Sequence, residues 1–216
     1  MAKRLANEIR NPLTPIQLSA ERLAWKLQDK LGEDDARILV RSTDTIVKQV
    51  AALKDMVEAF RNYARSPALR PVKQDLRQVV GEVLVLYEGS NCHFQVDLGK
   101  IPLNVRIDTA LMRQVLHNIF KNAAEAADES EQPTVTVDAT FNETTLSLVV
   151  ANNSKNFNPN ILAKAFDPYV TDKKNGTGLG LAVVKKIIDD HQGKITINNQ
   201  DSGGAVIRII LPKVEE

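Results

Sequence analysis

From Leu5 onward, apolar residues fall at positions 5, 9, 13, 16, 20, 23 and 27. That stripe has near-heptad spacing and predicts an amphipathic helix. Pro12 and Pro15 sit in its first half, where each removes a backbone donor and kinks the helix or weakens its hydrogen bonding. Gly32-Glu-Asp-Asp35 reads as a turn and a new helix start, its acids at the positive end of the dipole. A second stripe follows at Ile46, Val50, Leu53, Val57, Phe60 and Ala64. Two heptad helices joined by a tight turn make a helical hairpin over residues 1–66. One hairpin cannot bury both stripes, so the pattern predicts a four-helix bundle formed by two chains, with Ile46, Val50, Leu53, Val57 and Phe60 in its core.

The pattern changes after a Pro-bounded linker at residues 67–72. Leu76 to Leu86 reads as a helix, and Phe94 to Leu98 and Leu103 to Ile107 read as strands. Thr109 to Ala127 is a strong amphipathic helix with Asp108 as its N-cap. Thr134 to Asp138 and Thr145 to Val150 alternate like a hairpin of half-buried strands. Ala182 to Ile188 reads as a helix. Lys194 to Asn198 and Ala205 to Leu211 follow as strands, with Gly203-Gly204 at their turn. The expected architecture is α followed by α+β, with helices packed on one face of a sheet over residues 73–216.

Composition narrows the function classes. The 216 residues are 43% hydrophobic and 25% charged, with a formal net charge of +1. That balance gives no electrostatic case for nucleic acid or an anionic membrane as a direct partner. Cys92 is the single cysteine, so no internal disulfide forms and a reducing compartment is the natural reading. The longest apolar runs are too short to cross a bilayer. The first residues carry no signal-peptide core and open directly into helical pattern, as expected for a segment of a longer protein.

Two segments carry candidate chemistry. Gly176-Thr-Gly-Leu-Gly-Leu181 precedes the helix at Ala182. Its glycines let backbone approach a ligand closely, and the N–H groups of the following helix suit a phosphate; a flexible surface loop is the alternative. On the helix Thr109 to Ala127, Asn118, Asn122 and Glu125 are spaced by four and three residues and share one face. A neutral amide oxygen there is the kind of ligand that a hydrated Mg²⁺ bridging nucleotide phosphates accepts; a solvated polar face is the alternative.

These motifs together resemble the transmitter region of two-component sensor histidine kinases. Leu5-Ala-Asn-Glu-Ile-Arg-Asn-Pro-Leu13 is similar to the H box except at one position. Asn118 to Asn122 is similar to the N box. Val150-Ala-Asn-Asn-Ser-Lys-Asn-Phe157 occupies the place of the D-x-G-x-G box. Phe166-Asp-Pro-Tyr169 resembles the F box, and Gly176 to Gly180 the second glycine box. Leu13 to Leu23 and Phe166 to Thr171 resemble the NtrY-type nitrogen-regulation sensors in particular.

The resemblance implies a dimerisation and phosphotransfer hairpin followed by a Bergerat-type ATP-binding domain. It also implies a homodimer, a response-regulator receiver domain as partner, and a cytoplasmic position in a parent protein anchored in the inner membrane. ATP or ADP with Mg²⁺ is the implied cofactor. Asn118, Lys121, Asn122, Asn152, Asn156, Lys173, Gly176, Thr177, Gly178, Leu179 and Gly180 fall on the nucleotide site, with Asn122 on the magnesium asparagine. Lys173 can equally be part of a solvated lid, and Lys121 has the same standing. Glu8 matches the general base of autophosphorylation, and Asn11 the amide that positions water for dephosphorylation of the partner.

Two departures limit what carries over. The family's phosphoacceptor histidine is replaced by Asn7, whose amide lone pair is delocalised and cannot take a phosphoryl group. The family's adenine-binding aspartate is replaced by Asn152, which can offer an amide oxygen without the charge, and Ser154 and Asn156 replace two glycines. A missing charged hydrogen bond costs about 1.5–3 kcal/mol. The chain is therefore expected to lack autokinase activity while keeping regulator binding and phosphatase action. The alternatives are a pseudokinase scaffold with a dead nucleotide site, and a stand-alone ATPase. Against the latter, Asn118 stands where hydrolytic relatives carry a glutamate.

Overall fold

The computed structural model describes residues 2–64, 68–127, 132–154, 156–173 and 176–214; the side chains of residues 2–8, 10, 55 and 58–64 fall outside the description. The chain divides into two compact units, one of Met1–Ser66 with Lys173–Thr177 and one of Pro67–Asp172 with Gly178–Glu216.

The first unit is a helical hairpin. Helix α1 (Ala2–Leu27) runs unbroken through Pro12 and Pro15, and α2 (Glu33–Ala64) follows a short 3₁₀ turn at Gln28–Lys30. Each proline forfeits one intrahelical bond without ending the helix. The seam between α1 and α2 buries Leu13 and Ala20 against Thr43, Val50 and Val57. These residues recur every seven positions, the repeat of a coiled-coil contact. Thr43 satisfies its hydroxyl by donating to the Leu39 carbonyl at 2.8 Å. The other heptad positions stay wet. Ile16 is 47% exposed and Leu53 44%, and Ile9, Leu23 and Ile46 are similar. Of the expected bundle-core residues, Val50 and Val57 thus pack within the hairpin, while Ile46 and Leu53 face out. Phe60 lies outside the described side chains.

The second unit is a two-layer sandwich. Its five-stranded sheet has the order β2 (His93–Asp97), β4 (Thr134–Phe141), β5 (Thr145–Asn152), β7 (Ala205–Pro212), β6 (Lys194–Asn199). Strands β2 and β4 are parallel and the remaining pairs antiparallel. Alternation decides which face is covered: Leu146, Leu148, Val150 and Asn152 of β5 and Ala205, Ile207, Ile209 and Leu211 of β7 are buried. Helices α4 (Thr109–Ala127) and α6 (Gly180–Asp190) pack on that face and on each other. Met112, Leu116, Ile119 and Phe120 of α4 and Val184 and Ile188 of α6 are wholly enclosed. Truncating Phe120 to alanine would cost about 3–5 kcal/mol at such a site.

Helix α4 has the predicted bounds. Asp108 caps it by accepting the Ala110 and Leu111 N–H groups at 3.1 and 3.2 Å. The buried His191, at the end of α6, accepts the Asp108 N–H at Nε2 (2.8 Å), which places the ring proton on Nδ1, 2.7 Å from the Ile187 carbonyl. One imidazole therefore ties the end of α6 to the start of α4. A four-residue helical turn, α5 (Pro159–Leu162), lies between β5 and α6. The helix expected at Leu76 to Leu86 is α3 (Leu76–Leu84) followed by a 3₁₀ turn, Val85–Tyr87.

A second, two-stranded ribbon pairs β1 (Val72–Asp75) with β3 (Asn104–Ile107). Strand β1 was not apparent in the sequence and overlaps the end of the expected linker. Asp75 closes this corner: it caps α3 by accepting the Arg77 N–H, binds the Arg77 guanidinium, and accepts the Leu103 N–H. Burial alone would raise its carboxyl, but the bonds from Arg77 and Leu103 outweigh that and hold it below the ordinary value of 3.8. A carboxyl lowered by folding stabilises the native state above pH 3.8 and loses that contribution as pH falls further. Asp75→Ala should cost about 2 kcal/mol near neutrality by urea unfolding, from the lost cap and the orphaned Leu103 N–H. The difference from wild type should shrink below pH 3.8.

Candidate nucleotide site

Helix α4 presents its amide row to the start of α6. The Asn118 Nδ2 lies 3.5 Å from the Gly180 carbonyl, at the outer limit of a hydrogen bond. A side chain at residue 180 would come within 3.9 Å of the Asn122 Nδ2. Both asparagines are half-buried, whereas Lys121 is exposed and its ammonium lies 3.9 Å from the Glu125 carboxylate. The sequence placed these groups 58 or more positions apart; the fold makes them neighbours. Helix α6 starts at Gly180 with no side-chain cap, so its first N–H groups need partners from elsewhere.

The glycine loop has a specific reason for its composition. Gly178 has φ 64°, and a Cβ there would meet the Tyr169 backbone at 2.5 Å. Tyr169 itself occupies the left-handed region, at φ 67°, and its N–H donates to the Gly178 carbonyl at 3.0 Å. The aromatic-proline turn Phe166–Tyr169 and Gly178 are thus one local structure, and the next residue, Leu179, is buried. Gly176 donates to the Lys173 carbonyl at 3.0 Å. Lys173 is exposed, and Gly176 and Thr177 are half-buried.

Asn152 ends β5 at a position that the strand's alternation buries, with 6% exposure. Its Oδ1 accepts the Ala205 N–H at 2.7 Å, and its Nδ2 donates to the Ala123 carbonyl at 3.3 Å and the Ser154 hydroxyl at 3.2 Å. A backbone donor on one side and a backbone acceptor on the other fix which end of the amide is oxygen. The oxygen expected to face a purine amino group is therefore turned inward, because the Ala205 N–H would otherwise be buried without a partner.

The loop after Asn152 is held from β6 and its turn. Phe157 exchanges two bonds with the Asn199 side chain, each 2.8 Å, and Gln200 donates to the Asn152 carbonyl at 2.9 Å. Gly204, at φ 88°, comes so close to the Asn152 carbonyl that no Cβ fits. Among the described residues, Tyr169 and Gln192 are the non-glycines with positive φ. Ser154 and Asn156 therefore carry no left-handed strain in place of the family's glycines, and Asn156 is exposed. Sequence reasoning missed Asn199, Gln200 and Ala205; the Gly203-Gly204 pair was the one visible trace of the close approach.

On the hairpin, Asn7 and Glu8 lie in α1, but their side chains are outside the described residues. Asn11 is exposed one turn on. Leu18 and Trp25 follow at seven-residue spacing on the same side of α1, 59% and 79% exposed. Trp25 is thus a surface residue of the hairpin. No helix among the described residues is long and apolar enough to cross a membrane, and none of their His, Cys, Asp and Glu side chains form a metal-binding cluster.

Histidine kinase-, DNA gyrase B-, and HSP90-like ATPases match residues 107–215, half of the chain and the part that holds this site. The chain belongs to the histidine kinase family. It is 37% identical to the nitrogen regulation protein NtrY of Azorhizobium caulinodans over its whole length, and covers 29% of that protein. The catalytic domain of histidine kinase ThkA is 32% identical, with a TM-score of 0.61, over 67% of this chain and 96% of that one. ThkA in complex with the response regulator protein TrrA covers 99% of this chain and 61% of that one, at 28% identity and a TM-score of 0.72. The chain spans about a third of the length of the curated relatives it matches. The expected architecture, a helical N-terminal region followed by an α/β ATPase domain, is the observed one.

Proposed function

We propose that the chain is a histidine-kinase transmitter that binds nucleotide and a receiver domain but cannot phosphorylate itself. Residues 1–66 form the dimerisation and phosphotransfer-like hairpin, 67–72 the linker, and 73–216 the catalytic ATP-binding domain. The observation that carries this reading is the facing of Asn118 and Asn122 onto the start of α6 at Gly180. The N–H groups at that helix start, which has no side-chain cap, suit nucleotide phosphate. Gly176, Thr177, Gly178 and Leu179 contribute loop backbone, and Lys173 and Lys121 offer positive charge. Asn122 fits Mg²⁺ as one neutral oxygen ligand among phosphate oxygens and waters, and the ion would neutralise phosphate charge there. Asn152 and Asn156 border the base, with Asn152 contributing shape rather than a hydrogen-bond acceptor.

The exposed heptad positions Ile9, Ile16, Leu23, Ile46 and Leu53 support a second hairpin covering them, hence a homodimer. Asn11, Leu18 and Trp25 support a receiver-docking face on α1, beside residue 7. A phosphorylated receiver should lose its phosphate faster with this chain present, by Asn11 orienting the attacking water. Asn11→Ala should remove that acceleration in a phosphate-release assay while the complex still forms. A cytoplasmic position, in a parent protein anchored in the membrane, follows from the same reading.

A second reading, a scaffold with a closed nucleotide site, is favoured by the internal bonds of Asn152.

Asn7→His should restore a nucleophile with a neutral nitrogen near pH 7. With γ-labelled Mg–ATP, its ring nitrogen would take the phosphoryl group as the bond to ADP breaks, and Glu8 would receive the ring proton. The product is acid-labile and base-stable, and Asn152→Asp should increase it. The unmodified chain should stay unlabelled. A double variant that stays unlabelled while folded and dimeric by light scattering would sink the kinase reading.

A further inference from the structure

We propose that the β2 edge of the sheet is a docking groove for an extended strand of a partner polypeptide, apolar at alternate positions and basic at its ends. Strand β2 pairs on one side only, in register His93 with Thr134, and the His93 N–H donates to the Pro133 carbonyl. The alternation of a parallel ladder then points His93, Gln95 and Asp97 at β4 and turns the backbone N–H and C=O of Phe94 and Val96 outward. Among the described residues, no backbone partner meets these four groups. An open, unblunted edge is a template for another strand.

Beside this edge lies a cleft of about 470 Å³. Leu84, Val85 and Tyr87 line one side, and Phe94 and Val96 the other. Its apolar walls are accessible, with Val85 57% and Val96 43% exposed. Its base is rigid, because Tyr87, Phe94 and Phe120 stack at centroid distances between 5.2 and 6.1 Å. Burial, and to a smaller extent the Glu125 charge, push the Tyr87 hydroxyl up to about 12, so that wall stays neutral. A strand added to β2 would bond Phe94 and Val96 through its backbone and send every second side chain into the cleft. Glu88 is the formally charged residue among those lining the cleft, and it is exposed at the rim. Its charge favours a partner with lysine or arginine flanking the apolar positions.

The test uses the full chain and two short peptides of alternating valine and threonine, one ended by lysines and one by glutamates. The lysine-ended peptide should bind saturably by fluorescence anisotropy and shift the Phe94 and Val96 amide resonances. Val96→Pro removes an outward donor and spares the ladder to β4, so affinity should fall about tenfold or more. Gly81 lines the cleft, and a Cβ there meets nothing within 4 Å. Gly81→Leu should therefore fill the cleft, leave the unfolding midpoint intact, and cut binding as strongly. If Val96→Pro does not fold, Gly81→Leu decides. Absence of saturable binding by the lysine-ended peptide, unchanged affinity in the folded variants, or equal binding of the glutamate-ended peptide would overturn the proposal.

Discussion

The buried carboxamide of Asn152 fixes the corner on which the nucleotide side of the molecule depends. It sits where β5 ends, where α4 passes, and where the turn from β6 delivers β7 at Ala205. Burying a polar group requires that its bonds be met inside the protein. Here the Ala205 N–H and the Ala123 carbonyl meet them, so strand, helix and turn are held in one register. The glycine at 204 exists because this corner leaves no room for a side chain. Around it, Asn199 and Gln200 complete a set of amides that fasten the loop from Asn152 to Phe157.

That arrangement has a chemical consequence. A carboxylate at this position could keep the Ala205 bond with one oxygen and hold a second acceptor for a ligand. The amide keeps the first function and spends its other end as a donor to protein. On the proposed reading, structure is preserved while nucleotide recognition loses an acceptor. On the proposed reading, residue 7 makes the same exchange, with an amide where the family's phosphoacceptor nitrogen is expected. The elements proposed to face phosphate, Asn118, Asn122 and the opening of α6, carry no comparable exchange.

Much of this was legible in the sequence because the signals are local. Helix α4 was readable end to end from its apolar spacing and from Asp108, which caps it as expected. The strands β4, β5, β6 and β7 followed from alternation, and the heptads of α1 and α2 from a repeat of seven. What escaped reading depends on distant partners. Strand β1 is four residues of mixed polarity and becomes a strand through β3, some thirty positions on. Strand β2 pairs in parallel with β4 across an intervening helix, so its open edge could not be foreseen. The orientation of Asn152 is set by Ala205, and the left-handed Tyr169 by a bond to Gly178; neither residue type announces such a role. In the hairpin, spacing alone did not separate the heptad positions that close the seam from those left exposed.

The central claim is that the phosphate side of the site is intact and the base side weakened by one acceptor. Calorimetric titration of Mg–ADP into the unmodified chain and into Asn152→Asp tests it most directly. A lost charged hydrogen bond of about 1.5–3 kcal/mol corresponds to roughly ten- to two-hundred-fold in affinity. Both proteins should bind one nucleotide per chain, the aspartate variant more tightly by that factor. Absence of binding to both folded proteins, or equal affinity for the two, would contradict the account.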